Sequence, residues 1–280
     1  MDEHVRKPDW LKIKLGDTDR FAETRRIIGH DLHTICTSGR CPNQAECWGR
    51  GTATFMILGD ICTRSCRFCN TKTGRPLPVD KQEPDRLAAS VKKMEVKHIV
   101  LTSVDRDDLP DLGVGHWVEV IRALRRENPG ITMEVLIPDF QGEPALIQRI
   151  IDERPEVVSH NMETVKRLTP EVRSAAKYER SLQVLAQLAQ AGIRTKSGLM
   201  LGLGETEAEL LEVMDDLIAV RCQVLTLGQY LQPTRHHLPV RAYIHPDDFR
   251  RYKDIGLAKG FDIVESGPLV RSSYRAEKHL

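Results

Sequence analysis

The chain has 280 residues, enough for one large domain or two small ones. Its 41 basic residues against 40 acidic ones create no whole-molecule field. Composition therefore gives no support to a nucleic-acid binder. No apolar run reaches the roughly 18–20 residues a membrane-spanning helix needs. The opening Met1–Pro8 lacks an apolar centre and reads as neither a secretion nor a transit signal. Seven cysteines, an odd number, without an export signal point to reduced thiols and metal ligation in a cytoplasmic setting.

Residues 1–50 show no sustained period and are expected to be irregular. Regular structure is expected from Thr52. Strand-like apolar runs fall at Thr52–Leu58, His98–Thr102, Ile131–Ile137, Val157–His160, Thr195–Met200, Val224–Leu227 and Phe261–Val264. Between them lie helical patterns at Asp85–Met94, Trp117–Glu127, Pro144–Glu153, Glu179–Ala191, Glu205–Val220 and Pro246–Lys259. Gly192 is a plausible helix stop, and the Pro-, His- and Arg-rich Gln232–Pro246 reads as a loop. Short apolar runs alternating with amphipathic helices predict βα units around a parallel sheet. About six such units suit a closed or partly open barrel, with functional groups at the carboxyl ends of its strands.

Six cysteines form two triplets. Cys36, Cys41 and Cys47 are spaced C-x4-C-x5-C, and Cys62, Cys66 and Cys69 are spaced C-x3-C-x2-C directly after the first strand. Each is one thiolate short of a filled tetrahedral site. Three thiolates on a short loop can hold three irons of a [4Fe–4S] cube and leave the fourth open. The alternative for the second triplet is zinc completed by a nearby histidine, and the first triplet alone fits either zinc or a purely structural cluster. Cys222, in an apolar run, reads as a small core hydrophobe. His236 and His237 read as loop residues. Arg235 and Arg241 are either solvated charges or contacts for an acidic carrier.

The C-x3-C-x2-C loop, with Phe68 immediately before its third cysteine, resembles that of the radical S-adenosylmethionine enzymes. Arg40-Cys41-Pro42-Asn43-Gln44-Ala45-Glu46-Cys47-Trp48, the run Thr52–Cys69, and the ending Arg271-Ser272-Ser273-Tyr274 are together similar to lipoyl synthases. Thr102–Pro110 and Ser159–Thr164 also fit, so the resemblance spans essentially the whole chain. Leu112 stands where glycine is expected, and Arg275 follows the tyrosine.

The resemblance implies a partial (βα)6 TIM-type barrel, residues 51–265. It is preceded by a cluster-binding extension, residues 1–50, and followed by a tail, residues 266–280, closing over the barrel mouth. It implies two [4Fe–4S] clusters and S-adenosylmethionine. Cys62, Cys66 and Cys69 would hold the cluster that cleaves S-adenosylmethionine to a 5′-deoxyadenosyl radical. Cys36, Cys41, Cys47 and Ser273 would hold an auxiliary cluster that is consumed as the sulfur source. A serine oxygen is a harder, poorer match for iron than thiolate, which suits a corner that must open. Phe68, Ser103, Asp105, Asn161, Glu163, Lys196 and Met200 are the expected cofactor contacts, and the glycines around Gly198–Gly204 would admit close approach of backbone.

The implied reaction inserts sulfur at C6 and C8 of a protein-bound octanoyl-lysine. The implied partners are an octanoylated lipoyl carrier (a 2-oxoacid dehydrogenase E2 subunit or the glycine cleavage H protein) and an electron donor such as flavodoxin or ferredoxin. A biotin synthase-type sulfur insertion is a weaker reading, because it accounts for neither the first triplet nor the tail serine. A zinc-stapled binding module does not account for the long βα array.

Overall fold

The computed structural model describes residues 7–13 and 17–280; most of the Met1–Pro8 stretch lies outside them. The chain order is α1 (Thr18–Ile28), β1 (His33–Thr34), α2 (Ile35–Ser38), α3 (Gln44–Gly49), β2 (Thr54–Ile57), β3 (Ile61–Cys62), β4 (Lys72–Thr73), α4 (Glu83–Met94), β5 (His98–Ser103), α5 (Val114–Glu127), β6 (Thr132–Leu136), α6 (Pro144–Asp152), β7 (Val157–Ser159), α7 (Thr169–Val172), α8 (Tyr178–Gln190), β8 (Arg194–Leu201), α9 (Glu207–Ala219), β9 (Val224–Gln229), α10 (Pro246–Lys259) and β10 (Ile263–Gly267). Eight strands form one sheet in the order β1-β2-β5-β6-β7-β8-β9-β10. All its pairings are parallel except β1 on β2. The sheet curls into a barrel that does not close.

Local chemistry sets the bounds. The strands β2, β7 and β9 are buried along their whole length, as strands covered on both faces must be. Helix α9 starts with a reciprocal capping box between Thr206 and Glu209. Helix α10 has Pro246 in its first turn and ends at Gly260 in a left-handed conformation, φ 110°. Gly192, φ 76°, lies just past α8, as expected. Gln232–Pro246 has no regular element before α10. Among the described residues no helix is long and apolar enough to cross a membrane.

Residues 1–50 differ from expectation. They hold α1, α2 and α3 and the antiparallel strand β1. Helix α1 is polar over most of its surface and buries only Thr24 and Ile28, so its apolar period is faint. It is nucleated instead by Asp17, whose carboxylate accepts from the Asp19 and Arg20 amides at 2.9 Å each. Helices α2 and α3 are too short to show a period. Through β1 they bring the first cysteine triplet beside β2.

The tail also differs in part. It crosses the mouth and then continues inward. A Cβ on Gly228 would collide with the Val270 carbonyl, so the tail lies directly on β9 there. Ala276 and Glu277 share a cavity with Thr54, His98 and Val100, low on β2 and β5. His279, fully buried, ends among side chains of the barrel interior. Leu112 adopts φ 53°, a left-handed conformation that explains why glycine suits this position.

Candidate functional site: two cysteine triplets facing one cavity

The second triplet sits on the loop after β2. Strands β3 and β4 pair at its base, matching Cys62 with Thr73. Backbone N–H groups of Arg64 and Asp105 point at the Cys62 sulfur, at 3.4 and 3.3 Å. Thr63 donates its backbone N–H and its hydroxyl to the Asp105 carbonyl, at 3.1 and 2.9 Å. The far side is held by His237, whose Nε2 donates to the Cys69 carbonyl at 3.0 Å. His237 is thus a loop anchor, in line with expectation.

Arg64, which sequence reasoning passed over, is the main brace. Its guanidinium meets Asp107 at 2.7 and 2.9 Å, Asp139 at 2.8 Å and Asp105 at 3.2 Å. It fastens the cysteine loop to the carboxyl ends of β5 and β6. The signal was present: Asp105, Asp107 and Asp108 crowd one loop and need a cation. Burial pushes the Asp105 carboxyl up to about 6, against the pull of Arg64.

A cavity of about 340 Å³ opens above this loop. Phe68, Ser103, Asp105, Asn161, Glu163 and Met200 all line it. Asn161 donates to Glu163 at 3.0 Å, while its own Oδ1 is buried without a partner. The Ser103 hydroxyl is likewise buried and unpartnered. Glu163 has φ 65°, held by a bridge to β8: its N–H donates to the Gly198 carbonyl and its carbonyl accepts from Met200, both at 2.9 Å. Burial pushes its carboxyl above the usual range. Gly198 is needed for side chains more than for backbone approach. A Cβ there would meet Thr226 Oγ1 at 2.6 Å and Asn161 Oδ1 at 3.0 Å. Arg173 also lines the cavity; it donates to the Asn161 carbonyl at 2.9 Å and to Ser181 at 3.0 Å.

Lys196 is a correction. It shares the inward face of β8 with Gly198 and Met200 but lies deeper in the barrel. Its ammonium is taken by Glu134, at 2.7 and 2.8 Å, and by His279 at 2.9 Å. It does not reach the cavity.

Cys36, Cys41 and Cys47 gather with Ser273, Arg271 and Tyr274 around a second cavity of about 410 Å³. Cys36, Cys41, Arg271 and Ser273 line the first cavity too. Ser272 lines only the first. Three contacts hold tail to triplet segment. Asn43 donates to the Leu269 carbonyl at 2.6 Å, Tyr274 donates to Glu46 at 3.0 Å, and the Arg50 guanidinium lies 6.0 Å from the Tyr274 ring. Arg271, half-buried, lies beside Cys41 and favours its thiolate, although burial of the thiol outweighs it.

All seven cysteines are free. Burial pushes Cys36 and Cys62 up to about 11, and Cys47 and Cys66 up to about 12. Such thiols are poor nucleophiles; they ionise when a metal supplies the charge. Among the described residues no three His, Cys, Asp or Glu groups close on one point as a single-ion site requires. The thiols border open space instead, and two backbone N–H groups already point at one sulfur. These residues fit iron–sulfur clusters. The orphaned Asn161 and Ser103 oxygens fit a polar ligand in the first cavity. Cys222 is buried within the apolar core around β8 to β10, as expected.

The family model of the radical SAM superfamily matches residues 56–217. The lipoyl synthase of Bacteroides fragilis is 63% identical over 280 residues, covering 100% of this chain and 97% of that one. The lipoyl synthase of Treponema denticola is 60% identical over 276 residues, covering 98% and 95%. Among solved structures, Streptococcus suis SuiB bound to S-adenosylmethionine superposes with a TM-score of 0.61 at 11% identity, over 81% of this chain and 54% of that one. The maturase HydG of Carboxydothermus hydrogenoformans gives 0.55 at 14%, over 92% and 68%. These two likenesses concern the fold. Full-length identity to curated relatives, on a barrel whose mouth carries both cysteine triplets, establishes that this chain belongs to the lipoyl synthase family of radical SAM enzymes.

Proposed function

We propose that this chain inserts two sulfur atoms, at C6 and C8, into an octanoyl group carried on a lysine of a lipoyl carrier domain. The carrying observation is that both triplets border one cavity: Cys36 and Cys41 line the same space as Cys62, Cys66 and Cys69, with Ser273 at their junction. A radical source and a sulfur donor must face a common acceptor, and positioning within a few ångströms is what such a shared space supplies.

Cys62, Cys66 and Cys69 would hold one [4Fe–4S] cluster, and Cys36, Cys41, Cys47 and Ser273 would hold the other. When bound, the first cluster with S-adenosylmethionine would supply the radical chemistry that activates a C–H bond, and the second would supply sulfide. The protein does the rest. Arg64 and Thr63 fix the cysteine loop. Asn161, Glu163, Ser103, Asp105 and Met200 grip S-adenosylmethionine, and Phe68 packs beside it. Leu136, Ile137, Leu199 and Val270 line the cavity and keep water from the reacting carbon. Arg271 offsets the negative charge of the first triplet's thiolates.

The chain works in three parts: residues 1–50 and 266–280 form the sulfur-donor site on the barrel of residues 51–265. Its partners are an octanoylated carrier, from a 2-oxoacid dehydrogenase E2 subunit or the glycine cleavage H protein, and a flavodoxin or ferredoxin as reductant. It acts in the cytoplasm, away from membrane and nucleic acid.

Two variants test the assignment. Cys66→Ala should abolish 5′-deoxyadenosine formation while the first-triplet cluster still assembles. Cys41→Ala should still cleave S-adenosylmethionine yet give no sulfur-containing product. Undiminished 5′-deoxyadenosine from Cys66→Ala would refute it.

A further inference from the structure

The last residues of the chain do something the cluster ligands do not account for. Six residues beyond Ser273, the chain buries a histidine in the barrel interior. His279 is 0% exposed, as are Lys196, Glu134 and Ser159 around it. Lysine has three N–H donors and no acceptor. Lys196 spends two of them on Glu134 and the third on His279 Nδ1 at 2.9 Å. The Ser159 hydroxyl donates to the same carboxylate at 2.9 Å. The imidazole is therefore an acceptor at Nδ1, and its Nε2 is buried without a partner among the described residues, so the Lys196 contact is what docks it. Removing it leaves a buried ammonium hydrogen without a partner, which proteins avoid.

The rest of the tail is pinned upstream of Ser273 and just after it. The Leu269 carbonyl accepts from Asn43, and Tyr274 holds Glu46. Between Tyr274 and the carboxyl terminus only a one-turn 3-10 segment, Ala276–Lys278, connects to the buried histidine. A short segment held at both ends has little slack, so its lower anchor helps to set the height of Ser273 at the mouth.

We propose that His279 is a positioning residue for the sulfur-donor site: docked on the Lys196–Glu134 pair inside the barrel, it latches the tail so that Ser273 stays beside Cys36, Cys41 and Cys47. This rests on the reading of Ser273 as a cluster ligand. It makes Lys196, Glu134 and His279 a remote support for the site rather than part of the S-adenosylmethionine grip.

The test uses anaerobically reconstituted full-length protein with His279→Ala, His279→Asn and Ser273→Ala. Asparagine is the informative replacement, because its Oδ1 occupies the place of Nδ1 and can accept from Lys196. In His279→Ala, amides of residues 274–280 should exchange about tenfold faster or more, because a buried hydrogen bond that holds the segment is gone. Iron per chain should fall from about eight toward about four, the content of one four-iron cluster. Formation of 5′-deoxyadenosine without a carrier should be unchanged. His279→Asn should restore both exchange protection and iron. If alanine impairs folding, a chain ending at Lys278 removes the same contact without a poorly packed substitute, and the same readouts apply. Wild-type exchange and iron in these His279 variants, or equal loss in the alanine and asparagine variants, would overturn the latch. Ser273→Ala should lose iron while its tail stays protected. If Ser273→Ala keeps the full iron content, the ligand assignment fails and the latch falls with it. If Ser273→Ala loses iron and His279→Ala does not, the latch alone fails.

Discussion

Replacing Arg64 by Met probes the brace under the proposed S-adenosylmethionine site. Arg64 is only 8% exposed, and Asp139 beneath it is 1% exposed. The substitution keeps an unbranched apolar stem but leaves Asp105, Asp107 and Asp139 without their shared cation. Asp139 retains Arg180 at 3.3 Å and the Gln141 amide at 3.1 Å, so it is not fully abandoned. Breaking a buried pair by removing one partner costs roughly 3–5 kcal/mol; with Arg180 still present we expect about 3 kcal/mol. That is a large part of a total stability on the order of 5–15 kcal/mol. Lysine in its place keeps a charge but loses the fork, and should recover about half of the loss. Urea unfolding of the anaerobic protein measures both. A double-mutant cycle with Asp139→Asn isolates the pair and should give a coupling above about 1 kcal/mol. An Arg64→Met protein within about 0.5 kcal/mol of wild type, the scatter of ordinary surface changes, would refute the reasoning.

Three further expectations follow from other parts of the site. Gly198→Ala forces Thr226 and Asn161 apart and should cost about 1–3 kcal/mol while weakening S-adenosylmethionine binding about tenfold or more, read by equilibrium dialysis; unchanged affinity would show that Asn161 is not a contact. His160 donates from Nδ1 to the Ile137 carbonyl at 2.9 Å and accepts at Nε2 from Ser181, 2.9 Å away, so it is held neutral. Burial, with Arg173 nearby, pushes it down to about 4 from an ordinary 6.5. The unfolded chain therefore takes up a proton first as pH falls, and about 2 kcal/mol of stability should be lost between pH 7 and 5, a loss that His160→Gln should lack in urea titrations at the two pH values. Cys222→Ala should cost on the order of 1–2 kcal/mol in the same assay and leave the iron content intact; loss of a cluster would mean that it is a ligand.

The barrel was legible because its strands are short apolar runs separated by helices with clear stops. Pro246 and Gly260 bound α10 as expected, and β5 extends only one residue beyond the predicted run. The amino-terminal segment was not legible. Helix α1 buries too little to show a stripe, and α2 and α3 last one turn or two. Of the candidate site, the cysteine spacings and the tail serine carried the resemblance, and the structure gathers those residues around two adjoining cavities. Lys196 shows the limit of periodicity. Alternation along β8 gives the correct face but not the depth, and depth decides whether a side chain meets a ligand or Glu134. Arg64 and Arg173 were missed because an arginine in isolation reads as a solvated charge. Their partners, Asp139 and Ser181, are 75 and 8 residues away in the chain and meet them only through the fold.

The central claim is that the first triplet's cluster is the sulfur source and the second triplet's cluster the radical source, working across one cavity. The most direct measurement reconstitutes the protein with heavy-isotope sulfide, removes free sulfide, and analyses an octanoylated lipoyl domain by mass spectrometry after a single turnover with S-adenosylmethionine and reductant. Both inserted sulfur atoms should carry the label, and a Cys41→Ala protein should form 5′-deoxyadenosine but no labelled product. Unlabelled sulfur in the product, or labelled product from Cys41→Ala, would contradict the account.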